Sequence, residues 1–314
     1  MEYLEFIISL ALMILGANVL VSGSVVIARH FHVSPLLIGL LVIGFGTSLP
    51  EFSTSFLSML RGQSDLAVGN VVGSNIANSL LVLGIAAVLR PIPIHYDSFE
   101  RDASFLVLTN FILLICLWQR HISWELGLLM CMTLVFYINQ AYRTDREHVK
   151  KNVIPVPYVA LSKRISISTT LAVVATISGL ILTLLGAHYL LESVLIIFGH
   201  WGFSEVMIGL SVVAFGTSLP ELTTAIVASL KKQSSVALGN VVGSNIYNAL
   251  FILGVTALFR PVLVPNSVRE DVVVMVVATS LLLLCGYVRK RISRGMGVLF
   301  LMLYFGYILY LGLQ

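Results

Sequence analysis

The chain has 314 residues, of which 58% are hydrophobic and only 11% are charged, whereas a soluble domain carries about 25% charged residues. Apolar runs of about 20 residues recur along its whole length, so the composition excludes a soluble enzyme and predicts an all-α polytopic membrane protein in a lipid bilayer. The formal net charge of +4 does not indicate a nucleic-acid partner, because the basic residues lie in short loops between the apolar runs.

Ten apolar segments are predicted to form membrane-spanning helices. In chain order they cover residues 3–28, 35–60, 66–89, 99–119, 123–142, 169–191, 204–230, 236–259, 270–288 and 295–313. The polar stretch 143–168 contains six basic residues and two prolines, and it is too short to form a domain. We interpret it as a cytoplasmic linker between a first five-helix unit, residues 1–142, and a second five-helix unit, residues 169–314.

The distribution of basic residues predicts the orientation of the chain. The loops that follow odd-numbered spans hold 15 of the 19 Lys and Arg residues. The four on the other side are Arg61, Arg120, Arg260 and Arg269. Because basic loops stay in the cytoplasm, we expect a multi-pass protein of the cell membrane with both termini outside the cytoplasm.

Two segments of the chain are closely related at an offset of 170 residues. Residues 44–84 and 214–254 share 24 identities in 41 positions without a gap. The shared motifs are Gly-Thr-Ser-Leu-Pro-Glu at 46–51 and 216–221, and Gly-Asn-Val-Val-Gly-Ser-Asn-Ile at 69–76 and 239–246. Each unit has an odd number of spans, so homologous units must insert with opposite orientation. Such inverted repeats are common in secondary transporters, which bind their substrate near the midplane.

A proline interrupts the second and the seventh predicted spans. Pro50 has no N–H, so the carbonyl of Gly46 loses its helical partner, and Pro220 does the same at Gly216. Free carbonyl groups at membrane depth are tolerated only where they line a cavity or bind something. We therefore expect helices 2 and 7 to be broken beside the glutamate that follows each proline; a simple kink is the alternative.

Glu51 and Glu221, which follow these prolines, are the carboxylates predicted near the middle of spans. A charge at the bilayer centre costs at least roughly 2.5–3.5 kcal/mol, so such residues are functional candidates. A structural role would require a basic partner, and no Lys or Arg lies in the middle of a predicted span. A cation from solution is the expected counter-charge.

The polar residues near the two glutamates are oxygen donors without sulfur or imidazole. They are Thr47, Ser48, Ser74, Asn75 and Asn78, with the repeat counterparts Thr217, Ser218, Ser244, Asn245 and Asn248. Such donors suit Ca²⁺ and Na⁺ rather than soft metals. One Ca²⁺ or at least two Na⁺ would neutralise two ionised glutamates, so we hypothesise a carrier that crosses only when loaded and is therefore an obligatory exchanger.

The glycines of the second motif have the spacing of a helix-packing pattern. Gly69 and Gly73, like Gly239 and Gly243, are separated by three residues, which lets helices approach closely in membranes. We expect them to bring spans 3 and 8 against the broken helices.

Through these paired motifs the sequence resembles the cation/Ca²⁺ exchanger superfamily, and within it the prokaryotic Na⁺/Ca²⁺ exchangers. The resemblance implies ten helices in two inverted five-helix repeats, with an ion site formed by broken helices 2 and 7 and by helices 3 and 8. It also implies that spans 1 and 6 slide to alternate access, and that the backbone carbonyls of Gly44 and Ala214 join the site. The residues expected to hold the ions are Glu51, Glu221, Thr47, Thr217, Ser48, Ser218, Ser74, Ser244, Asn78, Asn248, Gly44 and Ala214.

Asn78 and Asn248 end the second motif of each copy. K⁺-dependent members of the superfamily rely on an Asp at this place in the second repeat. The resemblance therefore implies exchange that is independent of K⁺ and a site with only two carboxylates. The ions are substrates, and neither a cofactor nor an obligate protein partner is expected.

Three other functions use the same residues differently. A Ca²⁺/H⁺ antiporter would neutralise the glutamates with protons, and it is the closest alternative. A passive cation channel could line a filter with the same ligands, although broken helices in inverted repeats favour a carrier. An intramembrane enzyme could use the glutamates as acid and base, but no nucleophile or metal-hydrolase spacing supports it.

Overall fold

The structure is a computed structural model that describes residues 2–94, 96–150, 168–200 and 216–313. The α-helices of this part of the chain are α1 (Glu2–His30), α2 (Pro35–Ile38), α3 (Phe45–Thr47), α4 (Leu49–Leu60), α5 (Ser64–Ile76), α6 (Leu83–Leu89), α7 (Tyr96–Gln119), α8 (Trp124–Lys150), α9 (Thr169–His200), α10 (Leu219–Leu230), α11 (Ser234–Ile246), α12 (Leu253–Phe259), α13 (Arg269–Arg289) and α14 (Arg294–Gly312). The remaining elements are the π-helical segments Gly39–Gly44, Ala77–Val82 and Tyr247–Ile252, the 3₁₀ turn Asn266–Val268, and the two-residue strands β1 (Ile92–Pro93), β2 (His121–Ile122), β3 (Val262–Leu263) and β4 (Arg291–Ile292).

Long apolar helices dominate the described residues. Seven helical segments among them are long and apolar enough to cross a membrane, and the bent pair Pro35–Thr47 and Leu49–Leu60 would make eight. The prediction of a polytopic helical membrane protein is confirmed. The seventh predicted span, 204–230, is described only from residue 216 onward, where α10 is a shorter apolar helix, so the count of ten spans stays a prediction.

The helices fall into a central and a peripheral set. The helical segments Ser64–Leu89 and Ser234–Phe259 contain the second motif of each copy. In their most apolar stretches 83% of the residues are buried, compared with 33% in α1 and α9. The peripheral pair α1 and α9 pack closely on each other. The repeated motifs therefore lie in the interior, and the first helix of each unit lies outside them.

Helix α8 continues beyond the predicted end of its span at residue 142. Its extension reaches Lys150, so residues 143–150 of the predicted 143–168 linker are helical, and residues 151–167 lie outside the described part. Buried Asp145 explains the extension, because its carboxylate accepts hydrogen bonds from the Ser34 backbone N–H at 2.8 Å and from the Ser34 hydroxyl. These bonds hold the end of α8 against the N-terminus of α2, a contact that hydropathy cannot reveal. Helix α9 likewise extends to His200.

The two copies contact each other reciprocally at the offset of 170. Ile92 of β1 pairs with Ile292 of β4, and Ile122 of β2 pairs with Val262 of β3. Adding 170 to 92 and 122 gives 262 and 292, so each ladder is the counterpart of the other. The crossing of α1 and α9 has the same property: a Cβ on Gly16 would lie 2.5 Å from the Thr183 nitrogen, and one on Gly186 would lie 2.5 Å from the Met13 nitrogen.

Both proline motifs break their helices. Ser48, between α3 and α4, has φ −82° and ψ 3°, and Ser218 before α10 has φ −86° and ψ 3°. Pro50 and Pro220 follow at the start of the new helices, where a missing N–H costs least. The two parts of the first broken helix meet at a bend of 41°. The backbone thus leaves the helical conformation at both predicted positions; of the residues before Ser218 in the seventh span, the structure describes only 216 and 217.

The packing role of the glycine pair is confirmed for the second copy. The Gly239 backbone contacts the Leu36 carbonyl closely, and a Cβ on Gly243 would lie 2.6 Å from the Leu40 carbonyl oxygen. Helix α11 therefore lies directly against the first part of the broken helix. The positions 170 residues after Leu36 and Leu40 are 206 and 210, which lie outside the described part, so the packing of Gly69 and Gly73 stays a prediction.

We expect Gly243→Ala to destabilise the protein, because two backbones would have to separate to admit the methyl group. Overpacking of this kind costs about 1–3 kcal/mol. Thermal unfolding in detergent would measure it, with Gly306→Ala as the control, since Gly306 lies in the exposed interior of α14 with no atom of the described residues within 4 Å of an added Cβ. Equal melting temperatures for Gly243→Ala and the wild type would contradict the packing.

Candidate functional site

The two predicted glutamates come together from opposite copies of the repeat. Glu51 lies in the first turn of α4 and Glu221 in the first turn of α10, and both are 0% exposed. A helix N-terminus carries partial positive charge from its free N–H groups, which favours a carboxylate there. The broken helices therefore place each glutamate where the backbone stabilises its charge.

Each carboxylate is contacted by a serine of the other copy. The Ser218 hydroxyl lies 3.4 Å from Glu51 Oε1, and the Ser48 hydroxyl lies 3.4 Å from Glu221 Oε1. These contacts are reciprocal at the offset of 170. Each glutamate thus shares its site with the breakpoint serine of the opposite broken helix.

Ser244 connects a carboxylate with a backbone carbonyl. Its hydroxyl lies 3.4 Å from Glu221 Oε1 and 3.2 Å from the carbonyl oxygen of Gly44. The Gly44 carbonyl, on the first part of the broken helix, therefore faces the site as expected. Its counterpart Ala214 lies outside the described residues.

The two carboxylates share one site, because each contacts the serine directly before the helix that carries the other. Within the described residues, neither Glu51 nor Glu221 forms an ion pair with Lys or Arg. Like charges in a buried site raise its electrostatic energy unless an opposite charge is supplied. The local electrostatics therefore favour a cation between the two broken helices.

Several buried polar atoms of the predicted ligands have no hydrogen-bond partner among the described residues. They are Oε2 of Glu51 and of Glu221, Oγ of Ser74, and both amide atoms of Asn78 and Asn248. A buried polar atom without a partner costs about 1–3 kcal/mol. The oxygen atoms of this set are acceptors, and a cation can supply the missing partner.

The two asparagines that end the second motifs lie in irregular helix, and no contact of either with a carboxylate is observed among the described residues. Asn78 and Asn248 are 0% exposed and lie in the π-helical segments that follow α5 and α11. A π-helical turn inserts one residue, and such turns are frequent at functional sites. They rotate the helix just after the second motif, so spacing along a regular helix would misplace these side chains.

Sequence reasoning missed two asparagines, Asn70 and Asn240, which are 3% and 0% exposed. Asn240 Nδ2 donates to the backbone carbonyl of Glu221 at 3.2 Å, and its Oδ1 accepts from the Thr47 hydroxyl at 3.2 Å. Asn70 makes the reciprocal two bonds, both at 3.3 Å. Thr47 and Thr217 thus join the site across the copies. The available signal was the identity of this asparagine in both second motifs.

The described residues therefore bring most of the predicted set together. Direct contacts connect the two glutamates with Ser48, Ser218 and Ser244. The Gly44 carbonyl joins through Ser244, and the two threonines join through the asparagines Asn240 and Asn70. Ser74 is fully buried on α5, and no contact of it with a carboxylate is observed in the described part. Asn75 and Asn245 bond elsewhere, to the Asn245 carbonyl and to Ser79.

Comparison with known proteins agrees with this geometry. The sequence profile described as "Sodium/calcium exchanger protein" matches residues 2–142 and 171–313. The inner membrane protein YrbG of Escherichia coli is 32% identical over 311 residues, which cover 93% of this chain and 91% of YrbG. The sodium/calcium exchanger MaX1 of Methanosarcina acetivorans is 29% identical over 343 residues, covering 99% of this chain and 98% of MaX1.

The fold has a solved counterpart. The structure of the sodium-calcium exchanger NCX_Mj soaked with 2.5 mM Na⁺ and 0.1 mM Ca²⁺ superposes with a TM-score of 0.85 at 32% sequence identity, covering 98% of this chain and 97% of NCX_Mj. The profile spans nearly the whole chain, and the relatives match from end to end. The chain therefore belongs to the sodium/calcium exchanger protein family.

Proposed function

We propose that the chain is a secondary active antiporter that exchanges Na⁺ for Ca²⁺ across the membrane, with the ions bound in turn between Glu51 and Glu221. One observation carries the proposal. Two carboxylates from opposite repeats are buried together, and in the described residues the nearby groups are oxygen donors rather than basic side chains. A bound cation would complete this arrangement.

The donor set suits the two ions. Ca²⁺ takes 6–8 oxygen ligands in an adaptable shell at about 2.3–2.6 Å. Carboxylate, hydroxyl, amide and backbone carbonyl oxygens all lie on the residues of this site, and Na⁺ binds the same kinds of atom. MaX1 and NCX_Mj are named sodium/calcium exchangers, which supports Na⁺ rather than H⁺ as the coupling ion here.

Charge balance supplies the exchange mechanism. Two ionised glutamates without a cation would carry a charge of −2 into a region of low dielectric, where the energy of an uncompensated charge is high. One Ca²⁺ or at least two Na⁺ would compensate it. The carrier would then change its access only when loaded, which makes it an exchanger.

The proposed architecture has ten spans, with residues 1–142 and 169–314 as inverted five-helix repeats joined by a cytoplasmic linker at 143–168. Both termini would lie outside the cytoplasm. The reciprocal strand pairs and the reciprocal contacts at the two glutamates support a two-fold relation between the repeats. Transporters of this class bind substrate at the interface of such repeats and alternate its access to the two sides.

Ca²⁺ uptake into proteoliposomes preloaded with Na⁺ and diluted into choline buffer tests the proposed function. We expect uptake that requires internal Na⁺, that persists with a protonophore, and that is abolished by Glu51→Gln or Glu221→Gln, since each substitution leaves only one negative charge for a divalent ion. Glu125→Gln is the matched control, because Glu125 is exposed at the start of α8, and it should transport normally.

Other outcomes would reject Na⁺ coupling. Uptake driven by a pH gradient without Na⁺ would assign a Ca²⁺/H⁺ antiporter. Uptake that only equilibrates Ca²⁺ across the membrane and never accumulates it against its gradient would assign a channel.

Asn248→Asp is expected to change the cation requirement, because it adds a third carboxylate to the site. Compensating the extra charge requires one more monovalent cation, so uptake should fall in choline buffer and recover when K⁺ or additional Na⁺ is supplied. Flux in buffers that differ only in the monovalent cation measures this, with Asn266→Asp at an exposed position as the control. An unchanged cation dependence of Asn248→Asp would contradict a site charge set by the two glutamates.

A further inference from the structure

The hydrogen bonds of Asn240 determine which of its two amide atoms is the nitrogen and which is the oxygen. Its Nδ2 lies against the backbone carbonyl of Glu221, and a carbonyl can only accept a hydrogen bond. The Nδ2 atom must therefore be on this side, which leaves Oδ1 facing the Thr47 hydroxyl. Asn70 is fixed in the same way by the carbonyl of Glu51, and the same Nδ2 also donates to the Ser55 hydroxyl at 2.9 Å.

The Thr47 hydroxyl is consequently surrounded by acceptors. The Ile43 carbonyl lies 3.0 Å away, Asn240 Oδ1 3.2 Å and the Gly44 carbonyl 3.5 Å, and none of the three can donate. The single proton of the hydroxyl must point toward one of them. Its lone pairs are then available on the remaining side, which is the orientation that a hydroxyl needs to bind a cation.

We propose that Asn70 and Asn240 are positioning residues for the ion site. Each orients the threonine of the opposite repeat so that its lone pairs face the cation, and each ties that threonine to the backbone of its own glutamate turn. The two halves of the site then adjust together when an ion binds. This inference rests on the proposed function, since it presupposes a cation at the site.

A double-mutant cycle on Ca²⁺ binding tests the role of Asn240. Loss of a residue that orients a metal ligand typically weakens metal affinity about 10- to 100-fold, so Asn240→Leu and Thr47→Val should each raise the half-saturation constant by about that factor. If Asn240 acts through Thr47, the double variant should bind no more weakly than Asn240→Leu alone. The maximal exchange rate should fall much less than the affinity.

Matched variants separate positioning from a general loss of stability. Thr109→Val removes a buried hydroxyl that bonds only within α7, so alone it should leave the half-saturation constant unchanged, and with Asn240→Leu it should add nothing. The counterpart cycle, Asn70→Leu with Thr217→Val, should repeat the result if one variant fails to fold. Independent, multiplicative effects in the Asn240 and Thr47 cycle would overturn the proposal. Failure of the wild type to bind Ca²⁺ would instead reject the proposed function.

A second, independent observation is an asymmetry between α1 and α9. Helix α1 packs along α10, and Lys231 at the end of α10 donates to the Asn18 carbonyl at 3.0 Å and to the Ser22 hydroxyl. The reciprocal contact would place α9 along α4. In the described part of the chain α9 does not pack along α4 in this way, so the otherwise reciprocal repeats differ here.

On α4 and α9, where this contact is absent, the residues at the counterpart positions are ionisable. Subtracting 170 from 231 gives Arg61 at the end of α4, and adding 170 to 18 and 22 gives His188 and Glu192 on α9. The reciprocal crossing at Gly16 and Gly186 supports this register on the two helices. His188 and Glu192 pair with each other at 3.4 Å, with side chains 63% and 55% exposed, and Arg61 is exposed without an ion pair among the described residues.

We infer that Arg61 and Glu192 form an ion pair in the opposite access state. Transporters with inverted repeats alternate access by moving one repeat or bundle against the other around a fixed site. If the two copies exchange their present arrangements in that motion, α9 would lie along α4 as α1 now lies along α10. Arg260, which caps the carbonyls of Met59 and Leu60, adds positive charge beside Arg61 and favours an approaching carboxylate. The contact of Lys231 with α1 would be released. This inference also rests on the proposed function.

Cysteine cross-linking tests the pair in a chain whose three native cysteines, Cys116, Cys131 and Cys285, are replaced. Arg61→Cys with Glu192→Cys should form a disulfide under turnover conditions, and the cross-link should stop exchange until it is reduced. Arg61→Cys with Val174→Cys, toward the other end of α9, is the control and should not cross-link.

Two results would overturn the ion pair: no Arg61–Glu192 cross-link in vesicles that exchange ions, or a cross-link that leaves exchange unaffected. Absence of exchange by the uncross-linked parent would instead reject the proposed function. Swapping the charges of the two residues gives a second readout. Arg61→Glu should slow exchange, and adding Glu192→Arg should restore it; a double variant as slow as Arg61→Glu would contradict the pair.

Discussion

The structure depends on one electrostatic constraint, the burial of Glu51 and Glu221 together without a basic partner among the described residues. Neither carboxylate could be tolerated as an isolated charge in a membrane interior. The broken helices reduce the cost by directing helix N-termini at the glutamates, and the opposite repeat contributes a serine hydroxyl to each. The remaining unpaired oxygen atoms are the basis for proposing a cation as the stabilising partner.

The repeat makes this arrangement possible because neither copy completes the site alone. Every contact described at the carboxylate side chains, apart from that of Ser244 with Glu221, crosses between the copies. A change in the relative position of the two copies must therefore change the site. Ion binding is therefore coupled to conformation without a separate signalling element. The asymmetry between α1 and α9 is a difference in the relative position of the copies of the kind that would change the site.

Much of this was predictable because the membrane imposes strong rules. Hydropathy located the helices, Pro50 and Pro220 located the breaks, and the lack of a basic partner identified the two glutamates. The missed features depend on tertiary contacts. Asn70 and Asn240 gain their role from a threonine more than 140 positions away, the π-helical segments at Asn78 and Asn248 have no hydropathy signal, and the extension of α8 depends on the bond between Asp145 and Ser34. The roles of Ala214 and of the linker stay predictions.

The central claim is that Ca²⁺ and Na⁺ compete for one site between the two glutamates. Equilibrium binding of radioactive Ca²⁺ to the purified protein, titrated with Na⁺, tests it most directly. The account predicts one Ca²⁺ per chain, displaced by Na⁺ with a Hill coefficient above 1, because more than one Na⁺ is needed to replace its charge. Ca²⁺ that stays bound at saturating Na⁺, or that binds equally well when both glutamates are replaced by glutamine, would contradict it.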